Sequence, residues 1–154
     1  MTDPDPACLE GLAAEFNARF ARFEFALKEN GFIKNPTPGA RAEPGWDGFV
    51  RHFEAGYRLT EAGRSLISMN PRRQKVGPSG LEFDDVGFDD KPSQLGKVTR
   101  LLKTVRNNVV HGGKFAMGGW DNPGRTSKLL ELTITILDEL AQLGGLDSHY
   151  GSGA

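Results

Sequence analysis

A chain of 154 residues, 38% hydrophobic and 25% charged, is long enough to bury one sizeable core. Its single cysteine, Cys8, excludes an internal disulfide framework, and no apolar run approaches the roughly 20 residues that span a bilayer. A net charge of −1 excludes a global attraction to nucleic acid or membrane. The acidic, proline-rich start MTDPDPACLEG also lacks the basic-then-apolar order of a secretory leader, so a cytoplasmic protein is expected.

Asp5-Pro6 predicts a helix opening, an N-cap acceptor followed by proline in the first turn. Leu9, Leu12, Phe16, Phe20, Phe23 and Leu27 then recur at steps of three and four, the mark of one helical face. Asn30-Gly31 supplies a left-handed stop, and Phe32 and Ile33 are expected to fold back on it. Residues 34–45 read as a Pro/Gly linker. Trp46, Phe49, Val50, Phe53 and Tyr57 mark a second helix; Leu59, Ala62, Leu66 and Met69 mark a third, with a break near Gly56 where the phase shifts.

Residues 70–92, with their prolines, glycines and clustered charge, read as a long irregular loop that has room for a short strand or hairpin. Pro92-Ser93 opens a fourth helix with Ser93 as cap, apolar at Leu95, Val98, Leu102, Val105 and Val109, and closed by Gly112-Gly113. A second loop, FAMGGWDNPGR, leads to a last helix capped by Thr126 or Ser127, with Leu129, Leu130, Thr133, Ile136, Leu137, Leu140 and Leu143 on its face. Gly144-Gly145 ends it. The expectation is one all-α domain over 1–154: four to five amphipathic helices in a bundle, a core over about 7–143 and a flexible tail over 144–154.

Charge is polarised along the chain. Between Lys97 and Lys128 seven bases face one acid, Asp121, whereas Glu82 to Asp90 holds five acids and no base. Such a distribution steers an anion even near zero net charge, although a solvated helix face is the ordinary reading of a basic run. Within the basic stretch lies VRNNVVHGGKF, Val105 to Phe115, which concentrates Arg106, Asn107, Asn108, His111 and Lys114 beside an apolar face. Five residues of helix turn about 500°, leaving Arg106 and His111 about 140° apart. They meet only if the last turn loosens before the glycines, or if the same residues of a second chain converge on them.

A histidine at a helix C-terminus keeps its protonated form available, which suits general acid work. Arginine supplies a permanent planar fork for phosphate oxygens, and Lys103 and Lys114 add positive charge. Histidine, arginine and amides without a carboxylate partner point to phosphoryl-ester chemistry on RNA, where the 2′-hydroxyl is a built-in nucleophile. The spacing of histidines, cysteine and acids fits no metal site, and no metal or cofactor is expected. The plainer reading of Arg106 and His111 is a helix cap bonded to loop carbonyls. His52, His149 and Trp46 read as structural or exposed; Arg72, Arg73 and Lys75 as an ordinary basic loop or as contacts to an RNA backbone.

Arg106-Asn107 followed by His111 at the end of a penultimate helix resembles the Arg-x4–6-His motif of HEPN domains. RFARFEFALKENGF in the first helix and MNPRRQKV after the third are similar to one plasmid- and genome-borne group within that family. The resemblance implies a four- to five-helix HEPN-like bundle that works as a homodimer, with two motifs facing each other. It implies a metal-independent endoribonuclease of toxin–antitoxin or defence type, with an antitoxin or nucleotidyltransferase as partner. Carried over residue by residue, Arg106 stabilises the scissile phosphate, His111 is the general acid or base, and Asn107 positions the strand. Lys103, Asn108 and Lys114 are the candidate substrate-binding residues. The alternative that the family also offers is a non-catalytic module binding nucleotide, RNA or protein.

Overall fold

The computed structural model describes residues 4–110 and 122–151. The expected stop at Gly112-Gly113, and His111 and Lys114 with it, lie outside them. Helix α1 (Pro6–Glu29) opens as its sequence dictates: Asp5 Oδ1 accepts from the Ala7 N–H at 3.0 Å, with Pro6 at the first position. It closes at Gly31, which takes φ 89° and lets the Phe32 N–H reach the Leu27 carbonyl at 2.8 Å. That turn lays Phe32 edge-on to Phe49, with ring centroids 5.6 Å apart.

The 34–45 linker is tied to its own start by the Ile33–Pro44 bridge and by Gly45 N–H to the Phe32 carbonyl at 2.8 Å. Two short helices follow, α2 (Trp46–Phe53) and α3 (Glu61–Met69), with the chain broken between them as the phase shift at Gly56 anticipates. Thr60 caps α3, accepting from Gly63 N–H at 3.1 Å and donating its hydroxyl to Glu139 at 2.7 Å.

The all-α expectation is corrected at residues 73–84. Strands β1 (Arg73–Gly77) and β2 (Gly80–Asp84) form an antiparallel hairpin in register Arg73–Asp84 to Gly77–Gly80, so the protein is mostly helical with one small sheet. Alternation gives the hairpin two unlike faces. Arg73, Lys75, Glu82 and Asp84 share one, and Gln74, Val76, Leu81 and Phe83 share the other. Only the flanks of the expected long loop are irregular.

Helix α4 (Gln94–Val110) starts where Ser93 Oγ accepts from Gly96 N–H at 3.1 Å, and all five of its expected apolar positions are buried. Helix α5 (Pro123–Leu143) starts earlier than Thr126 or Ser127. Its cap is Asn122, in the left-handed region at φ 54°, whose Oδ1 accepts from Arg125 N–H at 3.3 Å. Asn122-Pro123 thus repeats the opening device of Asp5-Pro6.

The chain does not fray at 144. Gly145 turns at φ 64°, Leu146 N–H bonds the Ala141 carbonyl at 2.8 Å, and the short helix α6 (Asp147–Tyr150) packs on α1. Leu146 and Tyr150 are buried, the Tyr150 ring lies 6.2 Å from Phe23, and its hydroxyl donates to Asp138. Apolar burial at the tail outweighs the glycines that suggested a loose end.

Among the described residues α1 lies against α4, α5 and α6, α3 lies between α4 and α5, and α2 and β1 rest on α4. The core is aromatic along α1: Phe16, Phe20, Trp46, Phe23 and Phe49 touch in that order, with ring centroids 5.1–5.8 Å apart. Each such buried ring contributes about 1.5–3 kcal/mol by leaving water. No helix is long and apolar enough to cross a membrane among the described residues.

Candidate functional site on helix α4

Because α4 buries so wide an apolar stripe, its polar residues emerge in three directions. Lys103 and Arg106, three apart, share one side, about 60° from each other. Asn107 lies about 100° further round from Arg106, and Asn108 about 200°. The described members of the expected site, Lys103, Arg106, Asn107 and Asn108, therefore divide among three surroundings.

Lys103 and Arg106 face the aromatic seam of α1 and α2. The Arg106 guanidinium carbon is 5.0 Å from the Phe20 ring centroid, and Lys103 Nζ is 5.6 Å from that of Trp46. The two rings are themselves 5.5 Å apart, and Trp46 is fixed by its indole N–H donating to Glu24 at 2.8 Å. Two cations on successive turns of α4 thus sit on a pair of packed rings, a favourable charge–quadrupole arrangement worth about 0.5–2 kcal/mol each. Burial pushes the Lys103 ammonium below its ordinary pKa, an effect that Asp47 and Glu24 oppose and that Arg100 and Lys34 reinforce.

Arg106 forms no ion pair among the described residues. Its Nε–H is buried there without a hydrogen-bond partner, although the residue keeps partial exposure. The other buried, unpartnered side-chain atom is Asn17 Oδ1, on α1 one turn before Phe20. Sequence reasoning passed over Asn17. Its signal was an amide three residues before Phe20 and directly after Phe16, on the border of an otherwise apolar stripe.

Asn107 is exposed. It shares a shallow groove of about 290 Å³ with Arg73, Gln74, Thr104 and Asn108. Arg73 makes no ion pair among the described residues, so the hairpin brings a cation to the amide that the sequence placed there alone. Asn108 is buried and already engaged: its Nδ2 donates to the Arg72 carbonyl at 2.8 Å, holding the start of β1 against α4. Asn108 also walls a cavity of about 370 Å³ between α3, α4 and α5, lined by apolar side chains with Asn70, Arg72 and Arg125.

The polarised charge of the sequence is largely cancelled in space. Arg100 holds Asp90 through two hydrogen bonds of 3.0 and 2.9 Å and also reaches the Gly87 carbonyl, which keeps the Asp90 carboxyl below its usual range. Arg72 pairs with Asp85 at 3.0 Å, and Lys75 with Asp84 at 3.1 Å. Most of the acidic stretch is thus matched by Arg72, Lys75 and Arg100, while Lys103 and Arg106 form no ion pair among the described residues. His52 lies edge-on to Phe53 and Phe32, and His149 beside Asn30 and Phe25, as structural histidines do. Among the described residues no three His, Cys, Asp or Glu side chains gather as metal ligands.

The geometry defines a mostly helical protein carrying a small hairpin, with two cations on an aromatic seam that form no ion pair among the described residues. No family model matches the chain, and neither the curated proteins nor the solved structures compared with it give a match.

Proposed function

We propose that this protein is a metal-independent endoribonuclease of HEPN type, built as a HEPN-like helical bundle and active as a homodimer in the cytoplasm. The observation that carries the reading is Arg106: a guanidinium braced on Phe20, without a counter-ion, and with one donor unsatisfied among the described residues. An arginine held in this way suits a phosphate, because the partly exposed guanidinium can take one up without breaking an ion pair to any described residue.

In the proposed reaction the RNA 2′-hydroxyl attacks the adjacent phosphorus as a base removes its proton. The P–O bond to the departing 5′-oxygen breaks, that oxygen takes a proton, and a 2′,3′-cyclic phosphate remains. Arg106 stabilises the charge on the equatorial oxygens, His111 moves the proton, and Asn107 with neighbouring Arg73 steadies the strand. Lys103 and Lys114 add positive potential for the RNA backbone. Asn108 serves the site by holding β1 in place. A toxin or defence role, with an antitoxin or nucleotidyltransferase partner, belongs to the same reading.

The test is cleavage of a labelled structured RNA by the wild type and by His111→Ala, with and without EDTA. EDTA-resistant cleavage that vanishes in the variant, while the dimer persists, is expected. Cleavage abolished by EDTA would overturn the mechanism. RNA binding that depends on Arg106 without turnover would instead mark a non-catalytic binding module.

A further inference from the structure

Beyond Lys103, on the side of α4 that carries Arg106, a hollow of about 510 Å³ opens toward the connection between α1 and α2. One wall is Gly31 to Lys34, the other Pro44 to Gly48, and Arg51 and Lys103 complete it. Three of its side chains are cationic, Lys34, Arg51 and Lys103, and one, Asp47, is anionic. None of the three cations is ion-paired among the described residues; Glu24, outside the lining, accepts from the Trp46 indole and also acts on Lys103.

The walls are built rather than incidental. Lys34 N–H bonds the Glu43 carbonyl at 3.0 Å and Gly45 N–H the Phe32 carbonyl at 2.8 Å, so the two segments clasp each other. A side chain at Gly45 would bring its Cβ to 2.9 Å from the backbone of Phe32 and Ile33, so glycine permits the clasp. Gly45 caps α2 without a side-chain acceptor, leaving the first-turn N–H groups of α2 uncapped by any side chain at the edge of the same hollow. Lys103, half-buried over Trp46, is held with its charge partly desolvated, where an anion gains more than at an open surface.

We propose that this hollow binds a phosphate group of the RNA backbone, next to the phosphate that lies at Arg106. The inference rests on the ribonuclease reading for its ligand but not for its geometry. Lys103 and Arg106 are one turn of α4 apart, a rise of about 4.5 Å, so a strand crossing the seam meets both in succession. Three unpaired cations against one carboxylate leave the hollow positive, and about 510 Å³ admits a phosphodiester with its sugar. Asp47 is the one member that works against an anion.

The experiment has two arms, both on the full chain and neither needing turnover. In the first, inorganic phosphate is titrated while the backbone amide resonances of Gly45 to Gly48 are followed. Saturable shifts are expected in the wild type and not in Lys34→Ala/Arg51→Ala. In the second, binding of a labelled single-stranded RNA is measured against salt. The double variant should bind about tenfold more weakly, with a salt slope shallower by about 0.7 per lost phosphate contact. Lys34→Arg/Arg51→Lys should restore most of the affinity. Asp47→Asn should tighten binding several-fold, a gain that loss of mere structure would not produce.

Phosphate shifts without any change in RNA affinity would reassign the hollow to a free phosphate or mononucleotide and overturn the RNA assignment. Neither effect would overturn the site altogether. A wild type that cleaves RNA while the double variant binds it unchanged removes this inference and leaves the nuclease reading standing. Weakened binding in a protein that never cleaves does the reverse.

Discussion

Arg106 stands 5.0 Å above the Phe20 ring, on the same aromatic seam on which Lys103 stands above Trp46. The relationship couples a core residue to a candidate catalytic one. Phe20→Leu keeps an apolar filler and should cost about 1–2 kcal/mol of stability, less than the roughly 3–5 kcal/mol of a Phe→Ala truncation. It removes the seat of the guanidinium, so under the ribonuclease reading RNA cleavage should fall about tenfold, equivalent to about 1.4 kcal/mol. Arg106→Lys preserves charge and loses the planar fork, and should lose most activity with little change in unfolding midpoint. Full turnover in both variants would show that the seat serves packing alone.

Asn107 and Asn108 are adjacent and should behave oppositely. Asn108→Ala leaves the Arg72 carbonyl without its donor, and a cost of about 1–3 kcal/mol is expected in denaturant unfolding. Asn107→Ala touches no described partner and should alter stability by no more than about 0.5 kcal/mol. Under the ribonuclease reading it nonetheless slows RNA turnover. Equal stability losses at the two positions would contradict the division of faces on α4.

Much of the fold was legible because its signals are local. Asp5-Pro6, the three-and-four spacing of the phenylalanines, Asn30-Gly31 and Ser93 each act within one or two helical turns. The hairpin was allowed for but not drawn. Five-residue strands offer only two full alternations, and Val76 and Leu81 remain exposed, so no burial pattern announced them. The tail helix of four residues has no periodicity to read and is held by Tyr150 reaching Phe23 and Asp138 across the chain. Asn122 repeated the Asp5-Pro6 device and was passed over for the hydroxyls after it. On α4, the shared side of Lys103 and Arg106 follows from spacing alone. What they sit on, Trp46 and Phe20, depends on how three helices meet, which no local pattern encodes.

Tyr150 gives a pH signature to the tail. Burial first, and the hydrogen bond to Asp138 second, push its phenol above the ordinary value of 10.0. A folded-state pKa raised above the unfolded one adds stability that is complete below the unfolded value and is lost as pH rises from there toward the folded one. The unfolding midpoint should therefore drop above about pH 10 for this group, and Tyr150→Phe should flatten that component. At neutral pH the same variant should cost about 1 kcal/mol for the lost hydrogen bond. A wild type and Tyr150→Phe with parallel profiles through the alkaline range would remove the tail from the stability of the core.

Gly45→Ala tests the clasp that shapes the cationic hollow. The added Cβ would lie 2.9 Å from both the Ile33 nitrogen and the Phe32 carbonyl carbon, and these are backbone atoms that cannot swing aside as a side-chain tip does. The two segments must part, which weakens the Gly45 N–H bond to the Phe32 carbonyl and should cost about 1–3 kcal/mol. Gly48→Ala, on the same helix, meets only side-chain atoms at 3.8 Å or more and gains helix propensity of about 1 kcal/mol relative to glycine. Opposite signs of stability change at these two glycines, read by thermal unfolding, are the expected result. If Gly45→Ala is as stable as the wild type, the segments are not clasped, and the hollow loses the rigidity that lets it hold an anion.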